Sequence, residues 1–436
     1  MSDAVSADTI FALSSGQPPA AIAIVRISGP GAFGATERLA GSLPPPRHAA
    51  LRTLRDGDAH LDRALVLVFP GPHTVTGEDL AELHLHGGRA VVRAVEAALA
   101  AIPGLRSAEP GEFTRRALTN GRIDLTEAEG LADLLAAETE GQRRAALRAA
   151  EGGIRRRVEG WATRTLQLSA AVEASLDHAD EADVAAEGEL LDRVRVAAEA
   201  LADEIVAVVA QPAVERLRDG IRVVLAGPPN VGKSTLLNAL AEREAAIVSP
   251  LAGTTRDRIE VPVMRGGIAY LLTDTAGLHD APSDIVERIG IDRAQESLAQ
   301  ADLILWLDDR PLPGELVGRP HLKIHARADQ PGRQEGKADR IPVSATTGAG
   351  LATLWHSIDL IARELLPPED SVPLNQRQRE LAALAVEGLR SVATVTDSLL
   401  AAEELRRALR AFDRVTGKAG VEAMLDALFG RFCIGK

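Results

Sequence analysis

Residues Gly227-Pro228-Pro229-Asn230-Val231-Gly232-Lys233-Ser234 spell G-x-x-x-x-G-K-S between the apolar run Ile221 to Ala226 and the helix-like Thr235 to Leu240. That placement constrains the chain more than any other feature, because such a loop works only where a strand hands over to a helix. Its glycines let consecutive backbone N–H groups curl round phosphate oxygens. Lys233 sets a point charge beside the β/γ-phosphates, and the Ser234 hydroxyl is a Mg²⁺ ligand. Asn230, Val231, Gly232 and Thr235 complete the cradle. The motif predicts an α/β nucleotide-binding domain with a mostly parallel sheet.

Further motifs follow in a fixed order. The strand-like Ile268 to Leu272 leads into Asp274-Thr275-Ala276-Gly277, which puts a carboxylate at the end of a neighbouring strand. From there Asp274 reaches the metal through water, and the Gly277 N–H meets the γ-phosphate. Between the two motifs, Gly253-Thr254-Thr255-Arg256-Asp257 offers Thr255 as a second hydroxyl for Mg²⁺ on a loop free to order around the nucleotide. A guanine edge presents two donors to one carboxylate, and adenine does not. Asp329 can therefore select guanine, although Ala326-Arg327-Ala328-Asp329 lacks the side-chain amide of the usual N-K-x-D. Ser344-Ala345-Thr346 is placed to offer backbone N–H groups to the guanine oxygen. This order of motifs is that of a Ras-like P-loop G domain for GTP.

Leu278 stands where many GTPases keep a water-orienting glutamine, so hydrolysis needs another group. Glu287 is one candidate. Its residues alone allow an equally good reading as a first-turn helix acid favoured by the helix dipole.

The chain has 436 residues, 46% of them hydrophobic, enough for about three domains with packed cores. A formal net charge of −13 argues against the whole surface acting as a polyanion clamp. The single cysteine, Cys433, can form no internal disulfide, which fits a reducing compartment. No stretch reads as a signal peptide or approaches the ~20 apolar residues of a membrane span, so the expectation is a cytoplasmic protein with no membrane partner. Cys433-Ile434-Gly435-Lys436 matches a prenylation box poorly, its last residue being lysine.

Texture divides the chain. Residues 1–118 mix β-like runs (Ala21 to Ile27, Ala64 to Phe69, Leu80 to Leu85) with a helical stretch from Val91 to Ala101 and read as a compact α/β domain. Residues 119–212 read as helical. Thr126-x-x-Glu129 forms a capping-box signature, Ile154, Val158 and Trp161 recur at helical spacing, and an acidic break is expected from Asp177 to Glu189. Residues 369–436 resume that helical texture, so the G domain, 213–368, is predicted as an insertion into one helical domain.

With these motifs and the final Phe432-Cys433-Ile434-Gly435-Lys436, the sequence resembles the bacterial tRNA-modification GTPase family MnmE, or TrmE. The likeness includes Asp8-Thr9-Ile10, Ile24-Val25-Arg26-Ile27-Ser28-Gly29-Pro30, Gly77-Glu78-Asp79, Glu82-Leu83-His84-Leu85-His86-Gly87-Gly88, Pro110-Gly111-Glu112-Phe113-Thr114-Arg115-Arg116-Ala117, and Asp124-Leu125-Thr126-Glu127-Ala128-Glu129. The resemblance implies an N-terminal folate-binding and dimerising domain, hence a homodimer, and a heterotetramer with the FAD-dependent partner MnmG. It implies tRNA as substrate and an aminomethyl-type (carboxymethylaminomethyl) group added at carbon 5 of the wobble uridine. The carbon donor would be 5-formyl- or 5,10-methylene-tetrahydrofolate. It also implies K⁺ in the part an arginine finger plays elsewhere, held by Asn230, Ser249, Leu251 and Thr254, with Ser249 and Thr254 beside the GTP. Glu287 becomes the catalytic, water-orienting residue. Folate contacts fall on Arg26, Glu82, Arg122 and Lys436, and Cys433 takes a place near folate or uridine.

Other signals point elsewhere. Gly29-Pro30-Gly31-Ala32-Phe33-Gly34 fits G-x-G-x-x-G, but the proline and a short following helix spoil a pyrophosphate turn. His84 and His86 share a strand face as a metal pair or as turn-anchoring side chains. Arg143, Arg144, Arg148, Arg155, Arg156 and Arg157 form a solvated basic face or a tRNA contact. A regulatory or ribosome-assembly GTPase without modification chemistry is the alternative function, and an ATP-dependent kinase a third, which Asp329 disfavours.

Overall fold

The computed structural model describes residues 8–177, 184–242, 245–246, 260–275, 296–333, 339–419, 428–430, 432 and 435. The chain divides into two packed units, one of Met1–Ala132, Ala149–Gly160 and Phe412–Lys436, the other of Asp133–Arg148 and Trp161–Ala411.

The first unit is built on β1 (Thr9–Leu13), β2 (Ile22–Ser28), β3 (Ala50–Asp56), β4 (Ala59–Phe69), β5 (Leu80–His86) and β6 (Leu105–Ser107), in the order β3-β4-β5-β2-β1-β6. All neighbours are antiparallel except β1 and β6, which are parallel. Val25, Ile27, Val66, Leu83 and Leu85 point to one face, where α1 (Ala32–Ala40) and α2 (Arg89–Ala100) cover them with Leu39, Val92, Val95 and Leu99. Alternation of buried and open residues along β2 and β4 is the expected signature of a sheet covered on one side. The three expected strands are all present, Ala64 to Phe69 forming the second half of an 11-residue β4. β3 carried little sequence signal because only Leu54 is fully buried on this edge strand.

Helix α3 spans Glu112–Thr119 and α4 spans Leu125–Ala136. The expected cap at Thr126 and Glu129 is corrected. Asp124 Oδ1 accepts from the Glu127 N–H at 2.8 Å while Glu127 Oε2 accepts from the Asp124 N–H at 2.7 Å, so the reciprocal box is Asp124 with Glu127. The helix starts two residues earlier than the signature placed it, which leaves Thr126 inside the first turn with its hydroxyl donating to Asp124.

Further helices are α5 (Glu140–Ala150), α6 (Gly153–Asp177), α7 (Val184–Val209) and α8 (Val214–Arg218). Ile154, Val158 and Trp161 are buried along α6, as their spacing predicts. The expected acidic break is shorter than Asp177 to Glu189, because α7 already begins at Val184. Glu189 therefore lies within the helix rather than in a break.

A second sheet runs β13-β12-β11-β7-β10-β9-β8, from β7 (Ile221–Ala226), β8 (Ala245–Ala246), β9 (Glu260–Arg265), β10 (Ile268–Asp274), β11 (Leu303–Trp306), β12 (His321–Ala326) and β13 (Ile341–Val343). Strands β13, β12, β11, β7 and β10 are mutually parallel; β9 and β8 add an antiparallel edge. β7 is central and covered on both faces, which is why it reads as an apolar run broken by Arg222 near its start. Leu236, Leu237 and Leu240 of α9 (Lys233–Ala241) and Leu354, Trp355 and Ile358 of α10 (Leu351–Leu365) pack into its core. α11 (Gln376–Thr394) is capped by Asn375 and Gln378 and packs along α7, and α12 (Ser398–Thr416) follows. Among the described residues no helix is long and apolar enough to cross a membrane.

Candidate functional site

Strands β10, β7 and β11 end side by side, and the loops leaving their carboxyl ends build the site, as open parallel sheets do where strand order reverses. After Ala226 the chain needs backbone freedom. Gly227 sits at φ +153° and a Cβ there would stand 3.2 Å from Leu307 Cβ, while Asn230 at φ +61° and Gly232 at φ +102° complete the curl into α9.

Lys233 opens α9 only 4% exposed, its Nζ donating to the carbonyls of Gly227 and Pro228 at 2.9 Å each. Burial lowers its pKa from the ordinary lysine range, and the nearby Asp274 charge opposes that. The Ser234 hydroxyl donates to the carboxylate of Asp274, itself 3% exposed at the end of β10. Thr275 turns back onto the strand, its N–H and hydroxyl both reaching the Leu225 carbonyl, the hydroxyl at 2.9 Å. Lys233, Ser234, Asp274 and Thr275 are thus brought together. Ser249, Leu251, Thr254, Thr255, Ala276, Gly277 and Glu287 lie outside the described residues.

A cavity of about 260 Å³ adjoins this loop, walled by Val231, Gly232, Thr235, Asp329, Ala345 and the strand end at Ala326. β12 runs through Ala326, so that residue is in the sheet and buried rather than on the loop. Ser344 is buried and its hydroxyl accepts the Thr347 N–H at 3.1 Å, so its side chain holds the turn that presents Ala345. Arg327 was not among the expected contacts. At φ +57° its guanidinium donates to the Asn230 carbonyl and its Nε lies 3.4 Å from where a Gly232 Cβ would stand. The available signal was a cation one place after Ala326.

In the first unit Arg26 and Glu82 face each other across β2 and β5, Arg26 donating to Glu82 Oε1 at 3.2 Å (Nε) and 2.9 Å (Nη2). Glu82 Oε2 meets His84 Nε2 at 3.2 Å. Arg122 instead donates to the Thr74 carbonyl at 3.0 Å. Gly435 accepts from the Ser14 hydroxyl at 2.7 Å; Cys433 and Lys436 lie outside the described residues. His86 pairs with Asp62 at 2.7 Å, so the two strand histidines have separate carboxylate partners, and no metal-binding group of three or more His, Cys, Asp or Glu occurs among the described residues.

Most of the basic stretch is hydrogen-bonded to nearby carboxylates or carbonyls. Arg143 and Arg144 donate to Glu140, Arg148 to the Ser371 carbonyl, Arg155 to Glu159 and Arg156 to the Glu151 carbonyl.

The sequence matches the descriptions "GTP-binding protein TrmE N-terminus" over residues 9–122 and "MnmE helical domain" over residues 125–433. A "tRNA modification GTPase MnmE" of Erythrobacter litoralis is 55% identical over 430 residues, covering 98% of this chain and 100% of the relative. That of Rhizorhabdus wittichii is 56% identical over 438 residues, covering 99% and 98%. A crystal structure of Era with MgGDPNP and a 16S ribosomal RNA segment is 27% identical over 38% of this chain and 66% of that one, with a TM-score of 0.26, too low to bear on the fold.

Proposed function

This chain belongs to the family of tRNA modification GTPases called MnmE, and from that premise we propose how its parts serve the reaction. It is an enzyme that hydrolyses GTP and acts in tRNA modification. The carrying observation is the meeting of Lys233, Ser234 and Asp274 at adjacent strand ends beside a pocket edged by Asp329.

In our reading Lys233, held by two loop carbonyls, turns its charge to the β/γ-phosphates, and the N–H groups of Asn230 to Thr235 cradle them. Asp329 accepts both donors of the guanine edge, and the Ser344–Ala345 turn supplies N–H groups. Glu287 orients the attacking water, since Leu278 cannot. A hydroxyl and a carboxylate already within hydrogen-bond reach form a hard oxygen set that fits Mg²⁺ at the phosphates, Ser234 and Thr255 as ligands and Asp274 through a water. K⁺, taken by the Asn230 carboxamide with Ser249, Leu251 and Thr254, would neutralise charge developing between the β- and γ-phosphates. The exposed Asn230 on its left-handed turn supports that assignment.

The same reading makes residues 1–118 a folate-binding and dimerising domain, and 119–212 with 369–436 a helical domain into which the G domain 213–368 is inserted. Arg26 and Glu82, paired on adjacent strands, offer a cation and a carboxylate to a tetrahydrofolate derivative, with Arg122 and Lys436 completing the set and Cys433 near folate or uridine. That folate would supply the one-carbon unit for the aminomethyl-type group on the wobble uridine. The protein works in the cytoplasm as a homodimer with MnmG. Mass analysis of wobble nucleosides tests this in cells whose only copy carries Ser234→Ala. Loss of the modified uridine is expected; its retention would overturn the reading in favour of a regulatory GTPase.

A further inference from the structure

We propose that Gln142 is a positioning residue that latches α5 to α8 and so passes the state of the nucleotide site to the helical segments of the chain. It rests on the proposed function, in which turnover of GTP serves tRNA modification.

Gln142 stands in the first turn of α5 and is only 8% exposed. Its Oε1 accepts from the N–H groups of Glu138 and Thr139 at 2.7 Å each, while the Thr139 hydroxyl accepts from the Gln142 N–H at 3.2 Å. That is a capping box, in which glutamate or glutamine serves. The other half of the carboxamide needs an amide. Nε2 donates to the carbonyls of Leu217 and Arg218 at 3.0 Å each, the last two of α8, which a helix leaves without partners of its own. One buried side chain therefore closes the start of α5 and the end of α8 together.

Helix α8 is fastened to the sheet that carries the nucleotide site. Asp302, just before β11, accepts from Arg216 Nε of α8 at 2.8 Å and from the Arg222 N–H of β7 at 3.0 Å, and β7 runs straight into the phosphate loop. The returning chain is tied to the same helix. The Val214 N–H reaches the Leu374 carbonyl at 3.4 Å, and the Gln376 N–H donates to the Glu215 carboxylate at 2.7 Å. The chain thus enters and leaves the nucleotide-binding sheet side by side at α8, as a hinge requires.

The contact of α5 with this hinge encloses space rather than a core. About 670 Å³ lies between Gly141 and Ala145 of α5 and Leu217, Gly267 and Pro367, whereas packed interiors leave few voids larger than a water molecule. The Arg144–Glu369 ion pair beside it is exposed and contributes little. A junction held by hydrogen bonds round a cavity opens when those bonds break, without the wholesale loss of apolar contacts that parting a core entails. The buried carboxamide of Gln142 is the bond to break.

Two substitutions in the full chain separate the latch from the cap. Gln142→Glu keeps the capping acceptor and turns a carboxylate onto the α8 carbonyls; Gln142→Lys keeps a donor for those carbonyls and loses the acceptor. Gln142→Glu should speed hydrogen exchange of the amides in residues 214–220 about tenfold and leave residues 138–142 unchanged, and Gln142→Lys should do the reverse. In cells whose only copy carries Gln142→Glu, the modified wobble uridine should fall about tenfold. GTP turnover by the purified variant should stay within about twofold of the parent, since no group near the phosphates is touched. Unchanged exchange in residues 214–220 overturns the latch. Faster exchange with the modified uridine retained, or with turnover lost in equal measure, overturns the coupling. Retention of the modified uridine in Ser234→Ala sinks the functional reading instead, and the exchange of residues 214–220 then decides the latch by itself.

Discussion

The Ser234 hydroxyl donates to the Asp274 carboxylate, joining the first turn of the helix after the phosphate loop to the last residue of β10. Forty residues separate the two in the chain, and only the parallel pairing of β10 with β7 brings them to one place.

Ser234→Ala removes the hydroxyl and leaves Asp274 without that donor. Turnover of GTP should fall by at least about a hundredfold, as when one stabilising donor is lost from a preorganised site, while GDP affinity falls far less. A phosphate-release assay over a Mg²⁺ titration checks this, and full activity would remove Ser234 from the metal site.

Asp329→Asn should exchange base preference. Guanine offers an N1–H and an amine, whereas xanthine carries a carbonyl at carbon 2 that an amide N–H can serve. GTP turnover efficiency should drop by about a hundredfold or more, since a site built to pair with substrate donors loses at least that when they are mispaired, and XTP should become the better substrate. Competition between the two triphosphates measures it.

Glu287→Ala should abolish hydrolysis with GTP binding near normal, and replacing K⁺ by Na⁺ in the parent protein should slow turnover sharply. Single-turnover kinetics with separate binding titrations distinguish the steps. Unchanged turnover in Glu287→Ala would eliminate its assigned role.

Glu112 predicts an acid-side loss of stability. Burial works against its charge, yet hydrogen bonds from Arg106, the Glu109 N–H and Arg116 outweigh that, and its pKa lies below the ordinary 4.5. A depressed carboxylate contributes fully above its unfolded pKa and loses that contribution as pH falls through the folded value. Glu112→Gln should therefore cost about 1–3 kcal/mol near pH 7, with the difference from the parent shrinking below about pH 4. Urea denaturation at several pH values tests the sign.

Gly350 caps α10 at φ +76°, and a Cβ there would stand 2.0 Å from the Pro342 carbonyl oxygen. Gly350→Ala must displace the Ser344–Ala345 turn or unwind the helix start. A loss of about 1–3 kcal/mol is expected from the strained backbone alone, with weaker guanine binding, readable by thermal melting with and without GDP.

Much of this molecule was written locally. The phosphate loop, the apolar β7 and the alternation along β2 and β5 are short-range patterns, set by backbone freedom at glycine and by which side of a strand meets the core. The cap of α4 was misplaced by two residues because Asp124 and Thr126 both suit a helix start; the competition was settled by the burial of Thr126 at 0% exposure. The length of α7 was likewise underread, since an acid such as Glu189 suggests a break to the eye yet stands within the helix.

Residue order alone determined the phosphate-loop motif, the place of Asp329 just after β12 and the motif string shared with the family, because those features lie within single loops. Tertiary structure decided what no loop contains: that Ser234 meets Asp274, that Arg26 faces Glu82, and that Arg327 grips the carbonyl of Asn230. Such contacts depend on strand order and register, which arise from the summed burial of many distant side chains rather than from any local pattern.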